Sequence, residues 1–282
     1  MLPEAKGEDL MYLVTDVDFA YVVSYPKGKS VGQLTFAAEN GSGVCSDSKG
    51  HIFVTAYGYQ PAHGYIYEFK HAGTKPIATI DDGSNIPTSC AIDPASGNLA
   101  VTNDAATASH GGNVAIYTEA RGAPTTYSDS SFISYAGVTF DDNGNLFVIG
   151  RGHTPFAFAE LQDGGSALID ILIGQQIYGT HIQWDGTDLA ITERAANNRS
   201  HPVVYRVNVS GSIGTVVGTT TFNIRGPSSG DVSWIQGKTI TMDDRLTKLA
   251  FWPYPSGGNV QRAVGSFDCG HTGLTISKPL SH

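Results

Sequence analysis

A motif of two apolar segments around a short polar turn recurs along this chain. Each copy has an apolar segment, a turn that begins with Asp and usually contains Gly, and a second apolar segment. The four clearest copies are GVCSDSKGHIFVTA (43–56), SCAIDPASGNLAVTN (89–103), GVTFDDNGNLFVIG (137–150) and HIQWDGTDLAITE (181–193). Their turn aspartates, Asp47, Asp93, Asp141 and Asp185, lie 46, 48 and 44 residues apart. Short apolar segments bounded by Asp and Gly are typical of β-strands, so each copy predicts a β-hairpin.

Further apolar segments extend each hairpin into a larger repeating unit. A fifth copy, DVSWIQGKTITMDD (231–244), has Gln-Gly in place of the Asp turn. Third strands are predicted at 65–69, 114–118, 156–161, 203–207 and 249–254, and fourth strands at 75–80, 123–128, 166–172, 214–220 and 261–267. Four strands per unit, repeated about every 40–50 residues, are typical of the blades of a β-propeller.

The two ends of the chain predict how the ring closes. The N-terminal part contains three apolar segments, at 12–16, 21–26 and 30–35, and the C-terminal part contains one, at 272–277. Together they make one more four-stranded unit, which leaves no unpaired sheet edge inside the ring. The sequence therefore predicts an all-β, six-bladed β-propeller with four antiparallel strands per blade. We expect a single domain over 1–282, with a closing blade formed from about 11–35 plus 272–277.

The turn and second-strand segments resemble a known group of propellers. DDNGNLFVIG, DPASGNLAVTN and DSKGHIFVTA look like repeats of NHL-type propellers and of the SMP-30/gluconolactonase-like group. That group includes non-catalytic binding propellers as well as metal-dependent lactonases and phosphotriesterases, so the resemblance implies either class. In the SMP-30-like enzymes Glu, Asn and Asp near the channel hold the metal. Here Ser42, Thr88 and Tyr135 stand where first-strand ligands of that kind are expected.

Composition limits the partners. Lys and Arg number 17 against 26 Asp and Glu, a net charge of −9, which argues against nucleic acid and anionic membrane surfaces. No apolar run approaches the roughly 18 residues that span a bilayer. The first residues lack the pattern of a signal peptide, although a native precursor exported to the periplasm or beyond stays open. We expect a soluble protein, a monomer, that binds a small molecule without an organic cofactor.

Three cysteines are too few for a disulfide framework. Each lies in or just before a first strand, and nothing near them marks an activated nucleophile. We expect them to be small core residues. They are Cys45, Cys90 and Cys269.

Oxygen ligands are predicted on one face of the ring. In a propeller, the loops that enter the first strand and leave the second strand open on the same face. Asp16, Asn103, Glu193 and Asp243 end or follow second strands on four blades. Convergent oxygens of this kind would suit a divalent cation such as Ca²⁺. The alternative is that these residues cap exposed strand ends, where Asp and Asn are common.

Histidines on the same face indicate a different chemistry. His181 and His271 enter first strands, and His153 lies in the GRGHT loop. With Glu193 beside His181, the set could bind Zn²⁺ with an open position for water, or act as a general base whose imidazole the glutamate orients. These four residues are the catalytic candidates, and His181 and His271 are also metal candidates. The alternative is that they are solvated loop histidines.

Cationic and aromatic residues complete the candidate site. Arg151, Arg194 and Arg245 follow the second strands of three consecutive blades and could clamp a carboxylate or phosphate. They could equally neutralise the neighbouring aspartates in surface ion pairs. Tyr57, Tyr59 and Tyr65, near the loop of the second blade, could line the wall of a pocket, and Tyr57 and Tyr135 are the aromatic substrate-binding candidates.

Two classes of function follow from these residues. The first is a metal-assisted hydrolase of small esters, lactones or phosphotriesters, in which a bound metal generates hydroxide. The second is a non-catalytic ligand- or protein-binding propeller of the NHL type. A metal-dependent lyase, in which a histidine abstracts a proton, is a third reading.

Overall fold

The computed structural model describes residues 1–104, 111–153, 156–193, 201–223, 232–243, 248–265, 267 and 270–279, except for the side chain of Asp243. In chain order, the strands as far as Gly152 are β1 (Leu10–Thr15), β2 (Phe19–Ser24), β3 (Ser30–Thr35), β4 (Asn40–Ser46), β5 (Ile52–Tyr59), β6 (Ala62–Phe69), β7 (Ala78–Asp81), β8 (Ile86–Ile92), β9 (Leu99–Asp104), β10 (Asn113–Tyr117), β11 (Thr125–Tyr127), β12 (Phe132–Phe140) and β13 (Leu146–Gly152). The remaining strands are β14 (Ala157–Leu161), β15 (Ile169–Asp170), β16 (Leu172–Ile173), β17 (Gly179–Trp184), β18 (Leu189–Glu193), β19 (Val203–Ser210), β20 (Ile213–Asn223), β21 (Ser233–Gln236), β22 (Thr239–Asp243), β23 (Leu249–Pro253), β24 (Gly258–Asn259), β25 (Arg262–Val264) and β26 (His271–Ser277). Two short 3₁₀ segments cover Pro3–Gly7 and Thr118–Ala120.

Six antiparallel sheets form the blades of a six-bladed β-propeller, as the sequence predicts. Blade 1 contains β26, β1, β2 and β3, and blades 2, 3 and 4 contain β4–β7, β8–β11 and β12–β15. Blade 5 contains β17–β20, and blade 6 contains β21, β22, β23 and β25. Two short strands that the sequence did not predict, β16 and β24, add to β20 in parallel.

The ends of the chain close the ring inside blade 1. β1 lies between β2 and β26, and its pairing with β26 runs from Leu10 opposite Ser277 to Thr15 opposite His271. The closing blade is therefore confirmed. In the described part of the chain, no helix is long and apolar enough to cross a membrane.

A β-bulge interrupts the first strand of five blades near its start. In β12 a second irregularity leaves out Ile133. The residues left out of the ladder at corresponding positions of the five blades are Ser42, Thr88, Ala136, Thr180 and Thr272. Four of these five carry a hydroxyl group that donates to a second-strand carbonyl, as Ser42 Oγ does to Thr55 O at 3.1 Å. A bulge leaves backbone groups without their ladder partners, so these hydroxyls satisfy second-strand carbonyls in four of the blades.

The core lies between neighbouring blades rather than inside one sheet. Between blades 4 and 5, for example, Ile149 and Phe158 pack in one cluster with Ile182 and Ile191. Burying an apolar side chain of this size contributes roughly 1.5–3 kcal/mol. Strand alternation therefore places apolar residues on both faces of each blade, toward its two neighbours.

Cys45 and Cys90 form a disulfide between the first strands of blades 2 and 3, with a Cα–Cα distance of 5.6 Å. Both are buried, as expected of core residues. The sequence did not predict the bond because the two residues are 45 positions apart in different repeats. Cys269 lies outside the described residues.

Candidate functional site

The mouth of the ring is the face where first strands begin and second strands end, beside Gly41, Asn103 and Glu193. The opposite face, here the turn face, carries the Asp turns between first and second strands. Most of the predicted site residues were assigned to the mouth. Of these, Arg194 and Arg245 lie outside the described residues, as does the side chain of Asp243.

The surroundings of His181 at the mouth shift its pKa strongly. The side chain as a whole is partly exposed, but its Nε2 atom is buried, with no hydrogen-bond partner in the described structure. Burial lowers the pKa of His181 to about 4. The imidazole is therefore neutral at pH 7, which is the form that ligates a metal or accepts a proton.

The structure does not bring His181 and Glu193 together at the open end of their hairpin. Glu193 pairs with Gly179, whereas His181 pairs with Thr192 beyond the bulge. On the side of Thr192, the hydroxyl oxygen lies 2.8 Å from that of Ser233 in blade 6. On the side of Gly179, a Cβ atom would contact residues of blade 4. The two side chains therefore leave opposite faces of blade 5, because successive strand positions alternate.

Glu193 has a structural contact that its position in the sequence did not indicate. Its side chain is 3% exposed, and Oε2 accepts a hydrogen bond from the backbone N–H of Tyr178 at 3.0 Å. The carboxylate thus holds the segment that leads into β17. This contact gives Glu193 a role in the local fold, independent of any role in chemistry.

The oxygen set predicted for a metal is not formed by equivalent residues. Thr15, rather than Asp16, pairs with the first-strand residue before the bulge, as Asn103 and Glu193 do in their blades. Asp16 is one position further along and is exposed. The spacing in the sequence could not show this, because the register of blade 1 depends on the distant strand β26.

Asn103 is fully buried at the end of β9. Its Nδ2 donates to Asn113 Oδ1 at 3.1 Å, and Asn113 Nδ2 in turn donates to Asn85 Oδ1 at 3.3 Å. The Oδ1 atom of Asn103 is buried and accepts no hydrogen bond from the described residues. One oxygen of the predicted set is therefore available, but across the described residues no three His, Cys, Asp or Glu side chains are placed to hold a metal ion.

The other predicted residues are dispersed. Arg151 and His153 are exposed at the end of β13, and His271 begins β26 with its ring 5.7 Å from that of Phe267. Tyr135 is 2% exposed and stacks on Phe132 with ring centroids 4.5 Å apart. Tyr135 is therefore a core residue and not part of a pocket wall.

The hairpin formed by β5 and β6 in blade 2 is the most distinctive element at the mouth. Its two strands form eight residue pairs, whereas the second and third strands of every other blade form five in the described structure. The three additional pairs run from Tyr57 opposite Gly64 to Tyr59 opposite Ala62. They raise the segment Tyr57–Gly64, here the hairpin tip, beyond the described second and third strands of the other blades.

Two tyrosines lie on one face of the hairpin tip. The Tyr57 and Tyr59 rings meet edge to face at 5.1 Å, with their hydroxyl oxygens 3.0 Å apart, and Tyr59 is 58% exposed. Burial, the hydrogen bond with Tyr59 and the charge of Asp16 raise the pKa of Tyr57. Tyr57 was predicted as a binding residue, whereas no sequence pattern singles out the extension of the hairpin.

The opposite face of the tip carries a second polar and aromatic pair. The His63 ring lies over that of Tyr65 with centroids 4.8 Å apart, and His63 Nε2 is 2.7 Å from Asp81 Oδ1. The backbone N–H of Tyr59 donates to Glu39 Oε2 at 3.4 Å. The hairpin tip is thus an aromatic wall bordered by carboxylates.

Comparison with known proteins shows the fold. No family model matches the sequence, and no curated protein matches it. The structure is similar to a chain in the crystal structure of a nidogen/laminin complex, with a TM-score of 0.71 and 11% identity over 97% of this chain and 100% of that one.

Two further solved structures come from proteins of unknown function. The protein from Desulfotomaculum acetoxidans has a TM-score of 0.61 and 12% identity, covering 98% of this chain and 87% of that one. The protein from Bacteroides caccae has a TM-score of 0.68 and 10% identity, covering 96% of this chain and 99% of that one. Identities this low show a shared fold and leave the function to the site.

Proposed function

We propose that this protein is a ligand-binding propeller that takes a small, uncharged, hydroxyl-rich molecule such as a saccharide at the mouth, against the hairpin tip of blade 2. The observation that carries this proposal is the three-pair extension of the β5–β6 hairpin with Tyr57 and exposed Tyr59 on it. Tyrosine combines an apolar ring face with a hydroxyl, so it can contact both the C–H face and the hydroxyls of a sugar ring.

The electrostatics of the hairpin tip support a neutral ligand. Asp16 and Glu39 lie beside the two tyrosines, and the whole chain carries a net charge of −9. An anionic ligand would be repelled by this surface. Ionised carboxylates accept hydrogen bonds from hydroxyl groups, which a polyhydroxylated ligand supplies.

Calorimetric titration with a panel of mono- and oligosaccharides tests this proposal. For any saccharide that binds, Tyr59→Ala should weaken the affinity about tenfold, the loss typical of truncating an aromatic contact residue. The matched pair Tyr59→Phe and Tyr127→Phe removes one hydroxyl at the tip and one on the outer strand β11, and only the first should weaken binding. Absence of binding across the panel, or equal affinity for Tyr59→Ala, would contradict the proposal.

A metal-assisted hydrolase of the SMP-30-like kind is the second candidate, and one observation favours it. The buried Nε2 of His181 on a neutral imidazole suits a metal ligand. The described residues do not complete a ligand set of His, Cys, Asp or Glu side chains.

Elemental analysis of the purified protein, together with turnover of an activated ester before and after chelation, tests this candidate. A stoichiometric metal and turnover that both chelation and His181→Asn abolish would support the hydrolase. A metal-free protein without turnover would exclude it and leave the binding proposal standing.

A further inference from the structure

A cleft of about 430 Å³ opens on the turn face between blades 2 and 3, on the opposite side of the ring from the hairpin tip. The turn that begins at Asp47 forms one wall, and the turn that begins at Asp93 forms the other. Phe53 and Ile92 line it from the strands, and Glu119–Arg121 border it. None of its polar residues belongs to the site at the mouth.

A buried carboxylate fixes a histidine in this cleft. The Glu68 side chain is 1% exposed, with Oε1 3.1 Å from His51 Nδ1 and Oε2 accepting from an Arg121 guanidinium nitrogen at 2.8 Å. The Asp47 carboxylate also faces His51 Nδ1, at 3.3 Å. In the neutral imidazole, a proton on Nδ1 directed at these carboxylates leaves the other ring nitrogen, Nε2, as the acceptor.

The turn carboxylates are already held by local hydrogen bonds. Asp47 Oδ1 accepts from the backbone N–H groups of Lys49 and His51 at 2.9 and 2.7 Å. Asp93 accepts from the backbone of Ala95 and Ser96 at 3.0 and 3.2 Å. These bonds hold the walls of the cleft in place without removing their negative charge.

The cleft is acidic overall. Four carboxylates, Asp47, Glu68, Asp93 and Glu119, face two permanent cations, Lys49 and Arg121. Arg121 is paired with the buried Glu68, so the charge left on the walls is negative. An acidic concave surface concentrates cations rather than anions.

The histidine is not required by the repeat. In blade 4, Asp141 and Glu160 occupy the positions of Asp47 and Glu68, but Asn145 stands where blade 2 has His51. Asn145 Nδ2 donates to Asp141 Oδ2 at 3.0 Å, which satisfies the same turn without an imidazole. The scaffold thus tolerates a residue that lacks the acceptor nitrogen of His51.

We propose that the blade 2–blade 3 cleft is a second binding site, which takes a small organic cation carrying an ammonium or guanidinium group. Nε2 of His51 accepts a hydrogen bond from the cation, the acidic walls balance its charge, and Phe53 and Ile92 contact its carbon chain. Arg121 remains anchored to Glu68 and closes one side of the cleft.

Titration with agmatine, which carries both an ammonium and a guanidinium group, tests the proposal at pH 7.5. The expected result is saturable binding by calorimetry with a shift of the His51 ring resonances in ¹H–¹³C spectra. His51→Asn, which copies blade 4 and so should fold, is expected to weaken binding at least tenfold. The matched control Asn145→Ala, at the equivalent position of blade 4, should leave the affinity unchanged.

Three results would overturn the proposal: no shift of the His51 ring in the native protein, equal affinity for His51→Asn, or tighter binding of inorganic phosphate than of agmatine. The ring-shift experiment uses the unmodified protein, so the test stands even if the variant fails to fold. Tyr59→Ala should not change agmatine binding, which separates this site from the one at the mouth.

Discussion

Blades 2 and 4 share a scaffold but differ in what they place on it. Both have an Asp turn and a glutamate on the third strand, Glu68 in blade 2 and Glu160 in blade 4. In blade 2 the glutamate is paired with His51 and Arg121. In blade 4, burial first and the charge of Asp141 second raise the pKa of Glu160. The same carboxylate position therefore stabilises the fold in one blade and costs free energy in the other, depending on its partners.

The two blades also differ at the mouth. Blade 2 extends its central hairpin by three residue pairs beyond the five of blade 4, and exposes Tyr59 at the tip. It is also joined to blade 3 by the Cys45–Cys90 disulfide. Blade 2 thus departs from the repeat on both faces of the ring, which is where the two proposed binding sites lie.

The largest expected effect concerns the disulfide. Removing it with Cys45→Ala/Cys90→Ala should lower the free energy of unfolding by about 4 kcal/mol, because the bond closes a loop of 45 residues in the unfolded chain. Denaturant unfolding measures the difference. The matched control is Cys269→Ala, which should leave the response to a reducing agent as it is in the native protein. Equal stability with and without reductant would contradict the cross-link.

The second prediction concerns His181 at the mouth. Burial alone lowers the pKa of this histidine to about 4 from its ordinary 6.5. The folded state favours neutral His181, so its contribution is complete above pH 6.5 and is lost as the pH falls toward 4. The loss should reach about 3 kcal/mol, and His181→Gln should flatten this part of the pH profile. A profile that His181→Gln leaves unchanged would refute the burial argument, and His63→Gln is the matched control.

Glu68→Gln should lower the free energy of unfolding by about 2 kcal/mol at pH 7, because His51 and Arg121 then lose a charged acceptor. Thermal and urea unfolding measure this change. Combining it with Arg121→Gln should give less than the sum of the two single effects. Strict additivity would mean that the two side chains do not interact.

The smallest effect has the opposite sign. Glu160→Gln should raise the free energy of unfolding by about 0.5 kcal/mol at pH 7, because the ionised carboxylate is disfavoured where it is buried beside Asp141. A raised pKa in the folded state means that stability is lost as the pH rises through it. The advantage of the variant should therefore vanish below the ordinary value of 4.5. A destabilised Glu160→Gln protein would remove the contrast between the two blades.

The sequence predicted the architecture because the information is local and repeated. Turn aspartates such as Asp47 and Asp141 accept hydrogen bonds within their own hairpins, so each hairpin can be recognised from its own residues. The closing blade followed from counting strands. The register at the mouth could not be predicted from the sequence. The bulge at Thr180 changes which residue faces Glu193, and a bulge has no fixed sequence signal.

Other features depend on contacts between blades that no single repeat contains. The Cys45–Cys90 bond and the Glu68–Arg121 pair each join blade 2 to blade 3. The sequence does contain one difference on the turn face: aligning the repeats places His51 where blade 4 has Asn145. His51 thus departs from its repeat on the turn face, as His181 does at the mouth.

Hydrogen–deuterium exchange with and without bound saccharide decides whether blade 2 carries ligand recognition. We expect slower exchange confined to peptides covering 57–64, with no change in peptides covering 146–153 and 179–193. Protection of those blade 4 and blade 5 peptides instead, around Arg151 and His181, would refute recognition by blade 2 and assign it to the mouth residues of the hydrolase candidate.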